Sequence, residues 1–449
     1  LNKPRRVKAN NRLYKLKLCN DKNVSDMDLA YVSEEVGAGT EHHMRPGKMV
    51  FTLFMALILS FLPQFIVNGE EETKSLTVKS HSPFQVQLEQ RNLPENPIAR
   101  FLYDSGLQFE YPEAVRGIYV TGPSAGGSRF EELRKLVKDT ELNSMVVDIK
   151  EDHGNLTFDP GDDSPYADIG ENYIDDLRAK LETLEKDGIY PIARIVVFKD
   201  TELAEKRPDL SFKENGSIWK NGRDEAFVNP FMKEVWDYNI EIAKLAAEAG
   251  FKDIQFDYVR FPEGFEKRDK SLQYSEGDYA DLDMNNVQKR VKAVTDFVAH
   301  AKEELAYYNV DLSVDIFGYS ATIPEAPGIG QNFSKISSNV DVISSMIYPS
   351  HWTSYFDIPF PDKEPYKLVK EYVKVENERL GELKNAPVSR PWIQDFEAPW
   401  LYSGEPVTEY GKAEVEAQIR ALNEGGVNEF LIWNPSNKYT KNVDYTPLD

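Results

Sequence analysis

The stretch "DIQFDYVRFP", residues 253 to 262, sets an acid, an aromatic ring, a base and a helix-breaking proline at the end of an apolar run. Asp has poor strand propensity and an unpaired charge is costly to bury, so Asp257 reads as a carboxylate delivered where a strand runs out at a functional surface. Gln255 and Asp257 share a face by period two, with Arg260 on the other face at the exit. Other apolar runs end in the same way. "SMVVDIK" supplies Asp148 and Lys150, and "YPIARIVVF" supplies Arg194. "LSVDIFGY" puts Ser313, Asp315 and Phe317 on one face, and "DVISSMIYP" is closed by Tyr348, His351 and Trp352. "PWIQDFEA" offers Asp395 and Glu397 on one face with Trp400 beyond, and "EFLIWNP" ends in Trp433 and Asn434.

Carboxylates surrounded by indole and phenol rings are what glycoside hydrolysis needs. One carboxyl group protonates the leaving oxygen, another attacks or activates water, and aromatic faces stack on the sugar. Metal hydrolysis has no such support: of six histidines, His42, His43 and His81 precede the regular pattern, His300 lies on a helix, and His153 and His351 are isolated. The residues therefore call for no metal and no cofactor, and no Gly-rich phosphate cradle is evident. Plainer roles stand beside these. Asp257 could be a hydrogen-bonded structural acid, Asp148 and Lys150 an interior ion pair, and Arg260 the partner of a nearby carboxylate. Trp236 reads as core, and Trp219 as either a hairpin anchor or a substrate platform.

Elements that could position these groups recur with regularity. Eight apolar, β-branched runs (117–122, 144–150, 190–198, 253–261, 312–319, 341–349, 391–398 and 429–435) alternate with helical patterns such as "NNVQKRVKAVTDFVAHAKEELA", where Val287, Val291, Val294, Val298 and Leu305 mark one buried stripe. The link "ATIPEAPGIGQNFSKISSNV" carries the weakest helical pattern. Gly188, Gly250, Gly381 and Gly425 read as left-handed helix stops. The alternation predicts a parallel (β/α)8 TIM barrel rather than an open doubly wound sheet, since "VTGPSAGGSRF" lacks the dinucleotide-binding spacing.

Charge narrows the partners. Residues 1 to 69 carry 10 Lys/Arg against 6 Asp/Glu, so the remainder carries 43 against 69, a net of −26. Such a chain repels polyanions, so nucleic acid is excluded and neutral or cationic partners are expected. The only cysteine, Cys19, precedes the barrel pattern, which removes thiolate catalysis and a disulfide framework from the main body. "MRPGKMVFTLFMALILSFLPQFIVNGEEE" has a basic start, an apolar run from 49 to 67 and an acidic end, the form of a signal peptide or a retained membrane anchor. The expected organisation is a non-globular or mis-called extension (1–43), a leader or anchor (44–69), a polar linker and domain edge (70–113) and the barrel (114–440).

"VVDIKEDHG", "YPIARIVVFKD", "IQFDYVRFP", "SVDIFGY", "MIYPSHW" and "IWNPSNKY", taken in order, resemble a glycoside hydrolase-type domain family of bacterial secreted proteins, barrels distantly akin to α-amylase-type hydrolases. The resemblance spans roughly residues 114 to 440. It implies a nucleophilic Asp at the end of the fourth strand, preceded two positions earlier by an Arg, with a Glu acid on the fifth strand and a further Asp on the seventh. Asp257 matches the nucleophile and Asp395 the seventh-strand acid. Gln255 stands where the Arg is expected and Asp315 where the Glu is, which leaves Glu397 as a rival acid. The resulting expectation is an exported or surface-anchored glycosidase. Asp257, Asp315, Asp395 and Glu397 supply candidate catalytic carboxyls, and Asp148, Lys150, Arg194, Arg260, Tyr348, Trp352, Trp433 and Asn434 hold the carbohydrate. The competing expectation is a non-catalytic glycan-binding barrel at the cell surface.

Overall fold

The computed structural model describes residues 102–401 and 407–448. The expectations for 1–43, 44–69 and most of the 70–113 linker lie outside them. Eight parallel strands follow one another around a ring: β1 (Arg116–Val120), β2 (Ser144–Lys150), β3 (Tyr190–Val196), β4 (Asp253–Asp257), β5 (Asp311–Phe317), β6 (Val342–Met346), β7 (Trp392–Gln394) and β8 (Phe430–Trp433). β8 pairs back onto β1, with Gly117 opposite Leu431, and β1 pairs onto β2, so the eight-stranded ring closes, with the short strands Leu156–Phe158 and Gly170–Ile174 appended beside β2. The fold is a (β/α)8 barrel.

Helices cover the outside: α1 (Arg129–Lys138), α2 (Leu177–Asp187), α3 (Lys233–Ala249), α4 (Asn286–Glu304), α5 (Phe333–Ser337), α6 (Pro365–Gly381) and α7 (Lys412–Glu424). α4 shows why these segments are helical. The Asn285 side chain caps it by accepting from the Gln288 N–H, and Val291, Val294 and Val298 are buried at three- and four-residue steps. Gly188 takes a positive φ of 69° at the end of α2, and Gly250 one of 124° after α3. At the other two predicted stops the backbone differs. Gly381 is helical, and after α7 Gly426 rather than Gly425 has the positive φ. The weak link before β6 contains α5 and the single turn Tyr319–Thr322.

Apolar packing divides into two layers. One lies between strands and helices, and the other fills the ring with Tyr119, Val146, Tyr190, Ile192, Tyr348, Trp392 and Leu431. The amino end of the ring is stoppered by ions: Arg390 contacts Asp253 at 2.9 Å and Glu429 at 3.1 Å, and the Tyr111 hydroxyl donates to Glu429 at 2.8 Å. Function is thereby directed to the carboxyl end, where barrel sites are built. Tyr111 and the buried Leu107 show that residues 102–113 pack against the barrel rather than run free.

Candidate active site

At the carboxyl ends of the strands a cavity of about 860 Å³ opens, with Asp257, Asp315, Arg194, Tyr348, Trp352, Trp392 and Trp433 in its wall. Two of the four candidate carboxyls share it. The register pairs Phe256 with Val314, so Asp257 and Asp315 follow on the next rung of adjacent strands, whose backbones run about 4.8 Å apart.

Their environments differ. Oδ2 of Asp257 accepts from Arg194 Nε at 3.0 Å and Nη2 at 2.7 Å, and Oδ1 accepts from the Tyr258 backbone N–H at 2.6 Å. Three of roughly four lone-pair positions are thus engaged, leaving one on Oδ1 for other work. Tyr258 is held at φ +53°, a left-handed conformation unfavourable for a bulky residue, as the chain turns sharply out of β4. Asp315 is 2% exposed and receives one hydrogen bond, from Trp392 Nε1 at 2.8 Å. Burial, reinforced by the charge of Asp257, raises its carboxyl well above the usual range.

Arg194 is the hub beneath them. Besides Asp257, it contacts Asp148 at 2.7 Å and Asp152 at 3.0 Å, and its guanidinium lies over the rings of Tyr119 and Trp433. Burial pushes Asp148 up to about 6 against the pull of Arg194, and the Tyr119 hydroxyl donates to it. Asp152 is opposite in balance: burial would raise it, but Arg194 and Lys199 bring it down to about 2. Lys199 also reaches the Tyr258 hydroxyl at 3.1 Å. Arg260, 5% exposed, lies between the rings of Tyr258 and Phe317, 4.6 and 4.7 Å from their centroids, and faces the cavity.

Five predicted site residues do not line the cavity: Asp148, which lies beneath it on Arg194, and Lys150, Asp395, Glu397 and Asn434. Strand β7 ends at Gln394, so alternation does not carry Asp395 and Glu397 inward. Asp395 is buried and accepts from the Thr440 N–H and hydroxyl at 2.9 and 2.7 Å, while Glu397 is exposed outside the cavity. Asn434 bonds the carbonyls of Asp395 and Lys438, a turn-holding role. A register shift between Asp148 and Lys150 turns Lys150 away from the ring. There its Nζ meets Asp200 at 2.5 Å, the Val196 carbonyl at 2.8 Å and Asn239 at 3.1 Å. Asp148 and Lys150 are therefore not one ion pair. Trp219 is a buried anchor against Phe227 and Arg268, not a platform in the cavity. Of the cavity residues that strand periodicity did not single out, Asp152, Tyr258, Glu263 and Arg223 sit on loops and Lys267 ends the short 3-10 turn Phe265–Lys267. Only the closeness of Asp152 and Tyr258 to the ends of β2 and β4 hinted at them. Among the described residues no group of three side chains is placed to hold a metal ion.

A family model described as "Putative glycosyl hydrolase domain" matches residues 117–439. The chain belongs to this family. The match takes in every barrel strand beyond the first residue of β1 and all the acids that line the cavity. A hypothetical protein from Ruminiclostridium thermocellum is 33% identical over 44% of this chain and 96% of that one, with a TM-score of 0.38. The glycoside hydrolase domain of PgaB (BpsB) from Bordetella bronchiseptica is 12% identical, covers 73% of this chain and 95% of that one, and has a TM-score of 0.51, a likeness of fold. The β-galactosidase of Marinomonas ef1 is 12% identical over 71% of this chain and 54% of that one, with a TM-score of 0.49. No curated protein matches the chain.

Proposed function

We propose that the chain is an exported glycoside hydrolase that cleaves a poly- or oligosaccharide by a double displacement, with Asp257 as nucleophile and Asp315 as acid. The observation that carries this reading is the pairing of unlike carboxyls on one rung of β4 and β5: Asp257 held by a guanidinium, Asp315 buried beside it with a single indole donor. Divergent environments for two neighbouring acids are how one site runs acid and base chemistry at a single pH. A backbone spacing of about 4.8 Å between adjacent strands suits the roughly 5–5.5 Å separation of retaining enzymes better than the roughly 6.5–9.5 Å that leaves room for a water.

In the first step Oδ1 of Asp257 attacks the anomeric carbon while the Asp315 proton passes to the glycosidic oxygen, which leaves as an alcohol. Water then attacks the glycosyl ester, giving its proton to the Asp315 carboxylate and freeing Asp257. Arg194 keeps the nucleophile oriented, Arg260 offers donors to sugar oxygens, and Tyr348, Trp352 and Trp433 supply ring surfaces for the pyranose. Export is supported by the basic, apolar and acidic succession over 45–72, with the run 49–67 either removed or kept as a tether.

The test is release of reducing ends from a polysaccharide panel by the wild-type chain and by Asp257→Asn. Turnover that vanishes in a folded variant supports the reading. Unchanged turnover overturns the assignment of Asp257, and a wild-type chain that retains polymer without generating new ends is a binding barrel.

A further inference from the structure

The aromatic wall of the cavity does not stop at its rim. Trp392 meets Trp433 edge-on at 5.5 Å, Trp433 is 6.3 Å from Tyr348, and Tyr348 is 5.9 Å from Phe396, which lies outside the cavity. Phe396 in turn stacks on Trp400 at 6.3 Å with the rings inclined by only 22°. Trp400 is 63% exposed, the highest value among the large apolar side chains exposed in the described residues, so most of its indole is open to solvent beside Phe396. Isolated exposed apolar residues are ordinary. Trp400 differs in being backed by a ring that is itself continuous with the cavity wall.

We propose that a glycan chain leaves the cavity over Phe396 and stacks a further pyranose on Trp400, so that the substrate is a polymer longer than the cavity itself holds. This rests on the reading of the cavity as a carbohydrate site, but not on which carboxyl does the chemistry. A pyranose offers a flat face of C–H bonds that an indole covers, with hydroxyls left at the edge for water. A protein partner fits poorly: Trp400 and the adjacent Leu401 make a patch far below the roughly 800 Å² that each partner of a stable interface buries. The net charge of −26 on the chain beyond residue 69 also disfavours a polyanionic strand and suits a neutral or cationic polymer.

The test is calorimetric titration of the Asp257→Asn chain with size-graded series of α-glucan, β-glucan, chitin and galactan oligosaccharides, from disaccharide to octasaccharide. For the series that binds, affinity should rise with length. Adding Trp400→Ala should remove the last part of that rise, weakening the octasaccharide about tenfold while the disaccharide is bound alike, and Trp400→Phe should restore most of it. The same length dependence with and without the indole, or no length-dependent binding in any series, overturns the track. Length-dependent binding that responds to Trp400, in a wild-type chain that releases no reducing ends, retains the track and overturns hydrolysis instead.

Discussion

Arg194 on β3 stands opposite Gln255 on β4 in the strand register, yet its guanidinium reaches past it to clasp Asp257 at 2.7 and 3.0 Å. The sequence resemblance implies an arginine two positions before Asp257 on the same strand, where this chain has Gln255. The cation has moved one strand sideways at the same level of the barrel, while Gln255 donates to Ser344 at 3.2 Å. Asp257 thus receives its guanidinium from the neighbouring strand. Arg194→Gln should leave buried Asp148 and Asp257 without their shared cation and destabilise the fold by about 3–5 kcal/mol. Guanidinium unfolding midpoints measure this. Arg194→Lys should recover part of the stability but not turnover, because a point charge cannot hold one oxygen with two donors. A wild-type midpoint in Arg194→Gln would remove the hub role.

Asp315→Asn should separate acid from nucleophile. General acid catalysis contributes about 10²–10⁴-fold, so kcat on a natural glycoside should fall by that order. In kcat/KM, which follows the first step alone, an aryl glycoside whose leaving group needs no proton should lose far less. The losses compared are those in kcat/KM, because kcat falls on both substrates: Asp315 also takes the water proton in the second step. The comparison of the two substrates is the measurement, and an equal loss on both would assign Asp315 a structural part.

The hydrogen bond from Trp392 Nε1 to Asp315 favours the ionised carboxylate and so opposes the upward push of burial and of Asp257. Trp392→Phe removes that donor, which leaves the protonated form favoured further. The alkaline limb of kcat/KM against pH, which follows loss of the acid's proton, should move to higher pH in this variant. A limb that stays in place or moves down would show that another group sets it.

Much of the barrel was legible because its chemistry is local. Period-two apolar runs bounded by helices that alternate with them can close in few ways, and the parity of Asp257 and Asp315 survives because β4 and β5 run straight to those residues. Where parity misled, the backbone departed from regular strand. β7 has only three residues, so Asp395 and Glu397 follow a loop, and the irregularity after Asp148 points Lys150 the other way. The network around Arg194 was invisible for a different reason. It joins Asp148, Asp152 and Asp257 from three segments, and no spacing in sequence records a contact made across a ring.

Glu376 on α6 provides a stability test remote from the cavity. It is 1% exposed, accepts from Ser389 at 3.0 Å and, at the longer distance of 3.5 Å, from Ser345, and burial raises its carboxyl to about 7. The native state therefore holds this proton through a window, from the ordinary Glu range near 4.5 to about 7, in which the unfolded chain has released it. Wherever the native state binds more protons than the unfolded one, stability falls as pH rises. The full deficit, about 3 kcal/mol from the size of the shift, is present above pH 7 and absent below about 4.5. Glu376→Gln keeps the shape and removes the charge. Its unfolding free energy should match wild type near pH 4.5 and exceed it at pH 8, with the difference growing between those limits. Equal pH slopes in the two chains would mean that Glu376 ionises at no cost in its buried site.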